Sequence, residues 1–144
     1  IADYLDARLT LDQPVNIHLT GCPHSCAQHY MGDIGLLATT IKTADSTETI
    51  EAYHVFIGGG FGKTRALGRQ IAKSIPLEKL KPSLKNLLST FQNQKQAGES
   101  FQQFTQRHDE QALAKLLDKE GLPAFSSPAW PSVGRNATGG DDCP

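Results

Sequence analysis

The residues of this 144-residue chain best suited to chemistry fall in one short run, Cys22-Pro-His-Ser-Cys26. Three intervening residues bring two thiolates within about one turn of each other, close enough to be two corners of one metal centre. The spacing departs from the two-residue spacer of thioredoxin-like redox pairs and of most zinc knuckles. Four thiolates are the usual shell of a cubane iron–sulfur cluster, so this run supplies half of one and the remainder must come from elsewhere. Two other readings stay open on the residues alone. One is a zinc ion whose shell is completed by His18, His24 or His29; the other is a pair of free cysteines packed as small hydrophobes. The surroundings, Thr20, Gly21, Pro23, His24, Ser25 and Gln28, are poor core material.

The elements that must position this run are read from periodicity. Val15, Ile17 and Leu19 alternate with Asn16, His18 and Thr20, which predicts a short strand over 15–21 with His18 on its polar face. Pro23 sits one position inside a possible helix, so residues 22–31 are expected to form a tight turn entering one or two helical turns. Strands follow over 32–43 and through Tyr53 to Ile57, separated by a polar turn at 44–48. The second strand runs into Gly58, Gly59 and Gly60, a run that implies close backbone approach or unusual dihedrals.

From Lys63 onward Leu67 and Ile71 lie four apart, as do Arg65 and Arg69, and the expectation is a helix that Pro76 stops. Leu77, Leu80, Leu84, Leu87, Leu88 and Phe91 carry a helical period, with Pro82 predicting a kink or two helices. Further helical runs begin at Phe101 and include Leu113, Leu116 and Leu117. The expected fold class is therefore α/β in the α+β sense: a small mixed sheet of about three strands with helices packed on it. The domain spans 1–120. Residues 121–144, with four prolines and four glycines, read as a flexible tail or interdomain linker, in which Trp130 is incidental and Cys143 non-ligating.

Composition narrows the function. Lys+Arg 14 against Asp+Glu 15, a net charge of -1, gives no electrostatic case for a nucleic-acid partner. No apolar run is long enough to span a membrane. Three cysteines make no disulfide framework and suit a reducing, cytoplasmic setting. Ile1 in place of an initiator methionine reads as the start of a piece excised from something longer. The run from Gly58 to Thr64 invites a phosphate-binding loop, but the glycine required five positions before Gly62 is Ile57. Nor does the run fit the dinucleotide fingerprint.

The segment N-I-H-L-T-G-C-P-H-S-C-A-Q-H-Y-M-G-D-I-G-L, starting at Asn16, resembles the second cluster-binding motif of the siroheme-dependent nitrite and sulfite reductases. The likeness extends through Y-H-V-F-I-G-G-G-F-G to S-F-Q-Q-F-T-Q-R-H, roughly residues 10–120. It implies that Cys22 and Cys26 give two of four thiolates to a 4Fe-4S cluster, with Cys26 also bridging to the siroheme iron. The other two would come from an upstream C-x5-C segment that this chain lacks, together with the substrate-gripping cations, so the segment alone is expected to be inactive. His24 stands where the family commonly has asparagine.

The resemblance further implies a six-electron reduction of nitrite to ammonia or sulfite to sulfide, with ferredoxin or a fused flavin reductase module as donor. Thr20, Gly21, His24, Ser25 and Gln28 would surround the cofactors. Lys63, Arg65 and Arg69, at the expected helix start, would meet siroheme carboxylates. A cobalt-corrin biosynthetic enzyme of the precorrin type, within the same family, is an alternative. From another class, so is a zinc-stabilised or metal-free protein-interaction domain.

Overall fold

The computed structural model describes residues 1–42 and 48–118. The turn expected at 44–48 falls almost wholly outside the described residues, as does the tail at 121–144 with Trp130 and Cys143.

A five-residue helix, α1 (Ala2–Asp6), precedes strand β1 (Ile17–Thr20). The long strands β2 (Ile34–Lys42) and β3 (Thr49–Ile57) follow, then a 3-10 turn at Gly62–Thr64 and strand β4 (Arg69–Pro76). Helices α2 (Leu77–Gln94), α3 (Phe101–Gln106) and α4 (Glu110–Leu117) complete the order. The strands lie in the order β1-β2-β3-β4, with β1 parallel to β2 and the remaining pairs antiparallel. The result is a mixed four-stranded sheet with C-terminal helices, one strand more than the sequence suggested.

One sheet face carries Ile34 and Leu36 of β2, Tyr53, Val55 and Ile57 of β3 and Ile71 and Ile75 of β4. These form one core with Leu80, Leu84, Leu87 and Phe91 of α2, Phe101 and Phe104 of α3, and Leu113 and Leu117 of α4. Phe91 meets Phe101 and Phe104 edge-on, at ring centroids of 5.2 and 5.3 Å. Pro82 lies inside an unbroken α2. Its missing N–H removes one intrahelical bond, and burial of the leucine stripe on either side outweighs that loss.

The helix expected after Lys63 is strand β4 instead. Its register against β3 shifts on either side of Val55, and Ser74 at a φ of 52° takes up one of the extra residues. Those bulges bury Ile71, Ala72 and Ile75 together, so the apolar spacing imitates a helical period. The long-range demand that β3 find a second partner decides the conformation. Leu67, half of the supposed helical pair, is 75% exposed.

Candidate metal centre

The run 22–33 crosses the sheet face opposite the helices. Phe56 points to that face, where the rings of His29 and Tyr30 pack on it at 4.8 and 4.9 Å. Gly35 lies beneath the same loop: a Cβ there would stand 1.9 Å from the His29 carbonyl oxygen, so only glycine lets the main chain approach so closely.

Both ends of the loop are pinned. The Oγ1 of Thr20, buried at the end of β1, accepts from the Ala27 N–H at 3.2 Å. The Nδ1 of His18 lies 2.9 Å from the Ala27 carbonyl, and because a carbonyl only accepts, that nitrogen carries the proton. His18 is thus a half-buried structural donor. The alternation expected in β1 is reversed at its end, with Leu19 45% exposed and Thr20 buried, because the returning loop covers the polar face.

Three turns follow in succession: Ser25 N–H donates to Cys22, Gln28 N–H to Ser25 and Met31 N–H to Gln28, at 3.3, 2.7 and 2.9 Å. Ser25 and Gln28 adopt left-handed φ values of 57° and 52°. Those reversals interrupt helical progression, so the helical turns expected in 22–31 do not form. Instead the loop brings the two sulfurs to 3.6 Å. Cys26 is exposed and Cys22 half-buried. Hydrogen bonding from His24, then from Cys26, holds the Cys22 thiol below its ordinary range. The Cys22 hydrogen bond and charge push Cys26 up.

Two soft ligands on one accessible loop suit a thiolate-rich centre and fit two corners of a cluster. Among the described residues no third histidine, cysteine, aspartate or glutamate joins them in a metal-binding group. The zinc shell completed by His18, His24 or His29 is not assembled. His18 is held by Ala27, while His29 is buried and bonded through Nδ1 to Ser25 Oγ at 3.0 Å.

The loop gathers Thr20, Gly21, Cys22, His24, Ser25, Cys26 and Gln28, with Gly21, His24 and Gln28 exposed. Lys63 and Arg65 are exposed on a separate turn, closed by the bridge between Gly60 and Ala66. That turn rests on the back of the loop: Gly68 N–H donates to the Tyr30 carbonyl at 2.7 Å, and a Cβ on Gly59 would meet the same oxygen at 2.4 Å. The triple glycine therefore serves close approach of backbone to backbone. Only the 3-10 turn at Gly62–Thr64 follows it before β4, so Lys63, Arg65 and Arg69 do not share an α-helix start. Arg69 instead donates from Nη2 to the Thr105 carbonyl at 2.6 Å and from Nη1 to that of His108 at 3.1 Å.

Two features escaped the sequence. His29, whose role was open, is the loop's buried anchor; its place beside Tyr30 three residues past Cys26 is the one local hint. The reciprocal pairing of Asn16 with Asp33 left no signal beyond two polar residues flanking strands.

Fold and site together define an α+β domain bearing a paired-thiol loop on its open sheet face. The family model for the nitrite and sulphite reductase 4Fe-4S domain matches residues 5–124, and the chain belongs to that family. It is 46% identical over 85 residues to a ferredoxin–nitrite reductase of Leptolyngbya laminosa, covering 58% of this chain and 16% of that protein. It is 32% identical over 109 residues to sulfite reductase (ferredoxin) 1 of Mycolicibacterium paratuberculosis, covering 75% and 20%. The solved structure of Mycobacterium tuberculosis NirA protein superposes with a TM-score of 0.65 at 26% identity, over 77% of this chain and 20% of that one. The chain thus spans a fifth or less of the length of these relatives. Among the described residues no helix is long and apolar enough to cross a membrane.

Proposed function

We propose that this chain contributes one half of a 4Fe-4S and siroheme centre that reduces nitrite to ammonia, or sulfite to sulfide, in a longer polypeptide. The observation that carries the reading is the Cys22–Cys26 pair, its sulfurs 3.6 Å apart on an anchored loop with Cys26 exposed, within a chain of this family. When bound, the cluster and the tetrapyrrole iron supply stored electrons and an open iron coordination position for the oxyanion.

In this reading Cys22 and Cys26 would hold the cluster, and Cys26, the more exposed, would be the thiolate shared with the siroheme. A C-x5-C segment outside this chain gives the other two thiolates. Thr20 and Ser25 hold the loop from beneath. Gly21, His24 and Gln28 present polar groups on its outer surface, where hydrogen bonds to sulfur tune the electron affinity of a cluster. Lys63 and Arg65, exposed on their turn, would meet cofactor carboxylates; Arg69 acts one step behind them by fixing β4 to α3. Ferredoxin, named in both reductase relatives, or a fused flavin module serves as electron donor.

The test is iron, acid-labile sulfide and visible absorbance on anaerobically purified complete polypeptide carrying this segment, beside its Cys26→Ser variant. Siroheme bands and about four irons per cluster, disrupted in the variant, are expected. A colourless protein holding zinc or no metal overturns the reading in favour of an interaction domain.

A further inference from the structure

We propose that His29 is the positioning residue of the Cys22–Cys26 pair: its buried imidazole holds Ser25 in a left-handed turn and so sets the direction in which Cys26 presents its thiol. The inference rests on the reading of the two cysteines as paired ligands.

The His29 side chain is fully buried, its ring centroid 4.0 Å from that of Tyr30 and 4.8 Å from that of Phe56. For packing alone, a phenylalanine or leucine would serve. The imidazole brings a liability, because its Nε2 is enclosed with no partner among the described residues. Among the described residues its one polar contact is Nδ1 to Ser25 Oγ at 3.0 Å. The tautomer protonated on Nδ1 leaves a lone pair, not an N–H, orphaned at Nε2, and an unsatisfied acceptor is the less costly of the two. His29 therefore donates and the Ser25 hydroxyl accepts.

Ser25 needs that anchor. Its φ of 57° is disfavoured for any residue with a Cβ, and no glycine relieves the loop between Cys22 and Met31. Its N–H already turns back to the Cys22 carbonyl, and its own carbonyl leads directly into Cys26. Releasing the side chain frees Ser25 to return to the right-handed region, which swings the Cys26 thiol away from Cys22. The anchor itself does not move, since the His29 main chain is pressed on Gly35 and its ring on Phe56.

The test uses this chain and needs no iron. With the third thiol removed by Cys143→Ser, exchange with glutathione converts the Cys22 and Cys26 thiols and one oxidised glutathione into an intramolecular disulfide and two reduced glutathiones. The equilibrium constant measures the effective concentration of one thiol at the other. His29→Phe keeps the ring stack and removes the donor, and should lower that concentration by about fivefold, the worth of one hydrogen bond. Ser25→Ala should match it, the double variant should add nothing further, and His29→Asn, whose amide stands near the Nδ1 position, should restore most of the loss. Circular dichroism identifies the folded variants; should His29→Phe unfold, Ser25→Ala carries the measurement. An unchanged constant in the folded variants, or losses that add in the double variant, would overturn the proposal. Because no metal enters, failure here leaves the ligand reading intact, and failure of iron to bind leaves this result standing.

Discussion

Asn16 and Asp33 clasp each other across the mouth of the paired-thiol loop. The Asn16 main-chain N–H and side-chain amide both donate to Asp33 Oδ2, at 3.0 and 2.7 Å, and the Asp33 N–H returns to Asn16 Oδ1 at 2.9 Å. The clasp sits one residue before each of two parallel strands, immediately ahead of the register pair Ile17 and Ile34. It therefore sets where β1 begins against β2, and with it where the loop leaves and rejoins the sheet. Asp33→Ala is expected to lower stability by about 2 kcal/mol, since it leaves both Asn16 donors without their acceptor. Urea unfolding measures the loss, and faster hydrogen exchange at the Ile34 amide, bonded to the Asn16 carbonyl, locates it.

Glycines near the loop differ sharply in what they tolerate. Gly35→Ala drives a methyl into the His29 carbonyl and should cost about 3 kcal/mol or more, because both partners are backbone held in a sheet and its covering loop. Gly21 has nothing within 4 Å of its would-be Cβ, so Gly21→Ala should leave thermal stability within about 0.5 kcal/mol. Equal melting shifts for the two variants would contradict the stacking of the loop on Gly35.

Arg69 joins β4 to the end of α3 through two main-chain carbonyls. Arg69→Ala should cost about 2 kcal/mol, as the loss of charge-assisted bonds to main-chain carbonyls does. Arg69→Lys should recover less than half, because an ammonium cannot span both oxygens with the guanidinium's fork. Denaturant titration of the three proteins decides it.

Acid should weaken the fold through histidine. Burial lowers the pKa of His29, and burial with the neighbouring Lys73 charge lowers that of His54, whose Nδ1 accepts from the Ser74 N–H at 3.0 Å. A folded pKa below the unfolded one means that the unfolded chain binds more protons. Stability is then complete above about 6.5, the ordinary imidazole value, and is lost as pH falls through the depressed folded values. Denaturation midpoints between pH 7.5 and 5 should fall, and a His29→Phe, His54→Phe double variant should flatten that slope.

The paired thiols, the polar residues around them and the leucine stripe of α2 were legible because each is a local pattern: a spacing, a composition or a period. The cluster-binding resemblance rested on the same local run, and the family assignment agrees with it. What was misread was decided at long range. β4 carries helix-like spacing, and only pairing with β3 through two register shifts makes it a strand. Arg69 lay in line with Lys63 and Arg65 only while a helix was assumed.

By itself the sequence determined that two thiols would stand close together on a glycine-flanked loop, and that C-terminal apolar helices would cover a sheet. Adjacent residues and fixed periods suffice for both. Tertiary structure alone decided which sheet face the loop crosses, that His29 is buried with one nitrogen bonded and one bare, and that Asn16 meets Asp33. Each of these depends on groups brought together by the parallel closure of β1 on β2, and no spacing along the chain encodes a contact made across it.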